Sequence, residues 1–140
     1  ALQECWRVLK PGGLLMAVGI SRYASLHVGL ARWWLGDADF QSLVKNELVD
    51  GRHRPPETWP TLFTAAYFHH PDELTSEVTD AGFKHLAKLT VEGAGWLVPE
   101  LEGRWQDPAQ GETILAAVRW TEHERTLLGL SPHIMVVARK

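Results

Sequence analysis

Apolar residues recur along the chain with two different periods. Leu2, Cys5, Trp6 and Leu9 fall at helical spacing, and Pro11, Gly12 and Gly13 then break the helix in a tight turn. Leu14, Leu15, Met16, Ala17, Val18 and Ile20 follow, with only Gly19 between them. A strand apolar at consecutive positions is expected to be buried on both faces, as in parallel sheets covered by helices. Helix, short turn and buried strand make the second half of a βαβ unit, and the first strand of that unit is not in the sequence.

From Leu26 to Leu48 the helical period returns, and Gly36 with Asp37 is expected to divide it into two helices. Asp50 to Pro60 reads as a loop, with Arg52, His53 and Arg54 as a basic knot that would meet an acidic group on a substrate or, on the plainer reading, lie on a solvated surface. "TLFTAAYFHH" leads to a helix with Pro71 at its first position, Asp72 and Glu73 in its first turn, Leu74, Val78 and Ala81 on one face, and Gly82 closing it. Phe83 to Val91 alternates, placing Phe83, His85, Ala87, Leu89 and Val91 on one side of a half-exposed strand. Gly93 to Gln110 reads as a long loop, Glu112 to Leu128 as a helix, and Ile134 to Ala138 as a final apolar strand. The order predicts an α/β fold with a mixed open sheet and helices on its faces. Three strands alone would cover those helices badly, so the chain is expected to be part of a larger sheet.

Composition narrows the classes. The 140 residues are 45% apolar and 22% charged, which suits one globular domain. A net charge of −3 gives no basic footprint for nucleic acid. The apolar run from Gly13 to Ile20 is far short of the roughly 18 residues of a membrane helix, and no signal peptide is visible. The lone Cys5 fits a reducing cytoplasm. Seven tryptophans are many, and some are expected to wall a pocket for a bulky apolar ligand.

The segment "ECWRVLKPGGLLMAVGIS" resembles the fourth helix and fifth strand of class I S-adenosylmethionine-dependent methyltransferases. "YFHHPDELTSEVTDAGFKHLAKLTVEGAGWL" is similar to that family's next helix, turn and sixth strand, and "SPHIMVVARK" to its seventh, antiparallel, C-terminal strand. The likeness spans nearly the whole chain, in the family's order, and is closest to small-molecule methyltransferases of the ubiquinone and menaquinone biosynthesis type. It implies that residues 1–140 are the C-terminal half of a Rossmann-like methyltransferase fold, a mixed sheet with an antiparallel last strand. It further implies S-adenosyl-L-methionine as cofactor and a small-molecule acceptor. The family holds its cofactor in the N-terminal half, and no G-x-G-x-x-G or G-x-G-x-G occurs here. The cofactor-binding half is therefore expected to precede Ala1, and no cofactor-contact residue is named.

The carboxyl ends of parallel strands point at the ligand in such sheets, which makes Ser21, Arg22 and Tyr23 candidate acceptor contacts. The plainer reading is a strand-to-helix loop with Ser21 as a cap. By the resemblance, Ala65 to Pro71 lies near the acceptor pocket. Tyr67 and His69 would orient an acceptor hydroxyl or take its proton, with Phe68 beside them. The plainer reading has Phe68 in the core, Tyr67 packed and His70 capping the helix. Trp33, Trp34, Trp59, Trp96 and Trp105 would cover the site, Trp96 touching substrate, or would fill core under long loops. His69 and His70 with one cysteine make too poor a ligand set for a metal. Ser131 and His133 lack an acid in sequence to complete a triad, so a Ser–His hydrolase is not expected. The rival to a methyltransferase is an inactive remnant that binds a ligand or partner, its open sheet edge covered by a partner chain or a homodimer. A second rival is a fragment of another doubly wound enzyme, such as a nicotinamide dehydrogenase.

Overall fold

The computed structural model describes residues 1–59, 62 and 64–140. Both the Asp50–Pro60 loop and the "TLFTAAYFHH" leader therefore include positions outside the described residues, namely Pro60, Thr61 and Phe63.

Helix α1, Leu2–Val8, turns Leu2, Cys5 and Trp6 toward the core, and strand β1, Leu14–Ile20, follows the glycine turn. Helix α2, Ala24–Ala31, a short 3-10 turn at Trp34–Gly36 and helix α3, Ala38–Asp50, come next. The division falls where Gly36 and Asp37 predict it, because Asp37 is the N-cap of α3: its Oδ1 accepts the Phe40 N–H at 2.9 Å. Gly51 closes α3 at φ 75°, a left-handed conformation that favours glycine. Strands β2, Arg52–His53, and β3, Ala66–Tyr67, pair antiparallel as a small ribbon that the sequence pattern does not announce.

Helix α4, Pro71–Asp80, begins at the expected proline, and Glu73 Oε2 accepts the His70 N–H at 2.8 Å. Strand β4 covers Lys84–Thr90. The expected long loop at Gly93–Gln110 is instead partly helical. It holds a 3-10 turn at Gly95–Leu97, helix α5, Leu101–Gln106, and the start of helix α6, Pro108–Thr121. Asp107 and Pro108 form an ordinary N-cap and first-position proline, with Asp107 Oδ1 accepting from Ala109 N and Gln110 N. The helix expected to run to Leu128 ends at Thr121, and Arg125–Leu130 is 3-10. Strand β5, His133–Arg139, completes the chain.

The main sheet has the order β1-β5-β4, and β5 runs antiparallel to both neighbours. β1 and β4 therefore point the same way without touching. The expected mixed sheet has only antiparallel ladders, because the reversed last strand lies between the two strands that share a direction. One parallel bridge occurs, between Ser21 and His69 at the far edge of β1. In β4 the pairing shifts from His85↔Ala138 to Ala87↔Val137, so Leu86 is an extra residue. The alternation expected through Phe83 to Val91 thus changes face midway.

One face of the sheet packs on α1 and α4. Ile134, Val136, Ala138, Val78 and Phe83 are buried there, with Trp6 meeting Phe83 edge-on at 5.0 Å. Full burial of a valine, leucine or isoleucine side chain stabilises by about 1.5–3 kcal/mol, so this face carries much of the fold. The other face departs from expectation. Leu14, Met16 and Val18 are 49%, 63% and 53% exposed, so β1 is buried on one face only. A second cluster gathers Phe40, Leu43 and Val44 of α3 with Trp34, Leu35 and Trp59.

Candidate functional site

β1 and β4 end at the same edge of the sheet where antiparallel β5 begins. That edge is where α/β sheets hold ligands. A pocket of about 240 Å³ opens there, walled by Ile20, Val28, Trp34, Phe40 and Phe68, with His53 and His133 also in its lining.

His133 is the first residue of β5, and Glu92 stands just beyond the end of β4. His133 Nδ1 lies 2.5 Å from Glu92 Oε1, and the His133 backbone N–H donates to Glu92 Oε2 at 3.1 Å. Ser131 Oγ donates to the same Oε2 at 2.7 Å and accepts the backbone N–H groups of Glu92 and Gly93. Burial pushes the Glu92 carboxyl up, but the hydrogen bonds from Ser131 and His133 outweigh it and leave the group below the ordinary glutamate range. Glu92 is the acid that Ser131 and His133 lack in sequence. It lies between them, so Ser131 bonds to the carboxylate and not to the imidazole, and no activated serine results. What results is a carboxylate-oriented imidazole, the usual form of a general base.

The second imidazole belongs to a buried pair. Glu47 on α3 is 0% exposed and His53 3%, with His53 Nδ1 at 2.5 Å from Glu47 Oε1. His53 also stacks on Phe68, centroids 4.8 Å apart at 8°. Glu47 Oε2 has no hydrogen-bond partner among the described residues. A carboxyl group so deep needs a partner to be tolerated, and the His53 imidazole on Oε1 supplies it. The basic knot is therefore not uniform. β2 alternates, sending Arg52 to solvent and His53 inward, while Arg54 is exposed beyond it.

The anticipated residues part company. Phe68 lines the pocket, as does Trp34. His69 lies on the opposite face: its ring packs over Gly19, where a Cβ would stand 3.0 Å from Nδ1, and its Nε2 is 3.4 Å from Glu77 of α4. Ser21 is buried and its Oγ accepts the Tyr23 N–H at 3.3 Å. Arg22 is a buried strut. It donates to Phe68 O at 2.9 Å, Tyr67 Oη at 3.1 Å and Glu73 Oε2 at 2.6 Å. Burial raises the Glu73 carboxyl, yet the His70 N–H and the Arg22 charge bring it below the ordinary value. Tyr67 thus serves Arg22, half-exposed on β3. Tyr23 stacks on His27, which stacks on Trp96, whose Nε1 donates to Leu130 O at 2.9 Å. Burial lowers the His27 imidazole below its usual 6.5. Trp33 is 81% exposed, Trp59 packs on Phe40, and Trp105 lines a separate cavity beneath α5.

Among the described residues, no three of His, Cys, Asp and Glu converge in a way that could hold a metal ion, and no helix is long and apolar enough to cross a membrane. The pocket at the strand ends is a poor fit for S-adenosylmethionine: its walls are apolar and no carboxylate lines it to hold a ribose, and the sequence has no glycine-rich loop. No family model matches the chain, and no curated protein matches it either.

Proposed function

We propose that this chain is the acceptor-side half of a class I S-adenosylmethionine-dependent methyltransferase that acts on a small molecule. The observation that carries the reading is topological. Helix, glycine turn and strand occur twice, as α1–β1 and α4–β4, the two strands point the same way, and a reversed last strand follows. That is the order the resemblance implies. The exposed apolar face of β1 is one that the helices of a complete fold of this kind would cover.

In this reading, as the resemblance implies, cofactor binding belongs to the family's N-terminal half, and the residues here serve the acceptor. The apolar body of a small acceptor would lie among Phe68, Trp34 and Val28. Glu92 engages His133 through Nδ1, which leaves Nε2 as the nitrogen that would take a proton from the acceptor. The imidazolium that results is stabilised by Glu92. In this reading proton transfer belongs to His133 rather than to His69, and Arg22 acts by holding the β3 segment in place. Reducing cytoplasm is the compartment proposed, on the single cysteine.

The test is calorimetric titration of the full reading-frame product with S-adenosylmethionine, followed by transfer of labelled methyl to a panel of small phenols, amines and carbon acids. Cofactor binding with label transfer is expected. Neither binding nor transfer to any acceptor would overturn the reading and favour an inactive binding module.

A further inference from the structure

A larger cavity, about 440 Å³, lies on the far side of Glu92, roofed by α5 and walled by the Gly95–Leu97 turn and α6. We infer that it is a binding site for an apolar small molecule that carries no negative charge. This does not rest on the methyltransferase reading.

Size is the first ground. The volume is that of a pocket for a drug-sized ligand, for which about 300–1,000 Å³ is usual. Chemistry is the second. Trp96, Leu101, Trp105, Ile114, Leu115 and Val118 make walls almost bare of polar atoms. Such walls give water few hydrogen-bond partners, and an apolar occupant replaces it favourably. Charge is the third ground. The charged residues in the lining are Glu92 and Glu102, both acidic. Glu92 is already engaged by Ser131 and His133. Arg104, the cation on the roof helix, is turned to Pro99 O at 2.9 Å and Gln110 Oε1 at 3.1 Å. An anionic head group would meet like charge in an apolar surround, which is costly.

The roof suits an opening part. α5 is six residues long and packs on α6 and the Gly95–Leu97 turn rather than on the sheet. It starts from Glu100 at φ 53°, a left-handed conformation unfavourable for glutamate by about 1–2 kcal/mol. Trp105 and Leu115 remain partly exposed at the rim.

The experiment titrates the chain with the neutral fluorophore N-phenyl-1-naphthylamine and follows energy transfer from tryptophan. Decanol and decanoate then compete. Saturable one-to-one binding is expected, with decanol displacing the probe at least about tenfold better than decanoate, and Glu102→Gln narrowing that gap. Leu115→Glu should weaken probe binding by at least about tenfold, while Val28→Trp in the smaller pocket should leave it unchanged. Leu115 is partly exposed, so the variant should fold, as circular dichroism will check; Trp105→Ala serves if it does not. Absence of saturable binding, indifference to both α5–α6 variants, or equal competition by decanoate would each overturn the inference.

Discussion

Glu92 and His133 are 41 positions apart in the chain and 2.5 Å apart in space, carboxylate to Nδ1, at the edge where three strands begin or end. Two strand ends in adjacent positions bring them together, and Ser131 holds the carboxylate from the other side. If His133 is the proton acceptor of the reaction, His133→Ala should lower kcat by about 10²–10⁴-fold in the full reading-frame product. Glu92→Gln should lower it less and shift the pH profile, because an amide orients the ring without stabilising its charged form. Unchanged kcat in His133→Ala would remove the residue from the mechanism.

Acid should destabilise the protein in two stages. Burial holds the His27 imidazole below 6.5, so the unfolded chain takes the proton first. Stability is then full above that value and falls as pH drops through the native one. His27→Phe should flatten this first decline. Glu92 is held below the ordinary glutamate value of 4.5, so its contribution is present above that value and lost as pH falls through the lower native one. Glu92→Gln should flatten the second decline. Urea midpoints measured across the range check both; superimposable profiles of variants and parent would refute the assignment.

Arg22 is the strut of the edge. Arg22→Ala leaves Phe68 O, Tyr67 Oη and Glu73 without their shared donor and should cost about 2–4 kcal/mol. Arg22→Lys should recover little, since one ammonium cannot reproduce the fork. A Cβ on Gly51 would come within 2.5 Å of Phe68 O and 2.6 Å of Arg22 Nη2. Gly51→Ala should therefore destabilise by more than about 1 kcal/mol. Because Gly51 and Arg22 share this contact, the double variant should lose less than the sum of the single losses. Strict additivity in urea unfolding would argue against the shared contact.

The open face of β1 gives a contrary expectation. In the 140-residue chain by itself, Met16→Lys replaces an exposed apolar side chain and should change stability by no more than about 0.5 kcal/mol, while reducing self-association. Analytical ultracentrifugation checks this. A large loss of stability would mean that Met16 is covered in solution, by a second copy packed on the same face.

Much of the fold was legible from local pattern. β1 is read at its observed bounds, α3 starts at its Asp37 cap, and α4 starts at Pro71, because capping and proline chemistry act within a few residues. Local rules also reach α6, whose Asp107–Pro108 start is an ordinary signal obscured by the surrounding glycines and tryptophans. α5 offered no comparable signal: it is six residues long, lacks a side-chain cap, and is held by α6.

Sequence by itself determined the order of the larger helices and of the three strands of the main sheet, the two glycine turns and the apolar run that becomes the central strand, since each follows from the torsional and burial preferences of neighbouring residues. Tertiary structure decided which side each residue faces and what it meets. His69 and Phe68 are adjacent, yet the parallel bridge to Ser21 sends one under α4 and the other into the pocket. His53 sits between two arginines, yet strand alternation buries it against Glu47. Glu92 finds His133 only because β5 inserts between β1 and β4. Contacts between distant segments depend on which strand lies beside which, and a linear pattern of apolar and polar residues does not encode that neighbour.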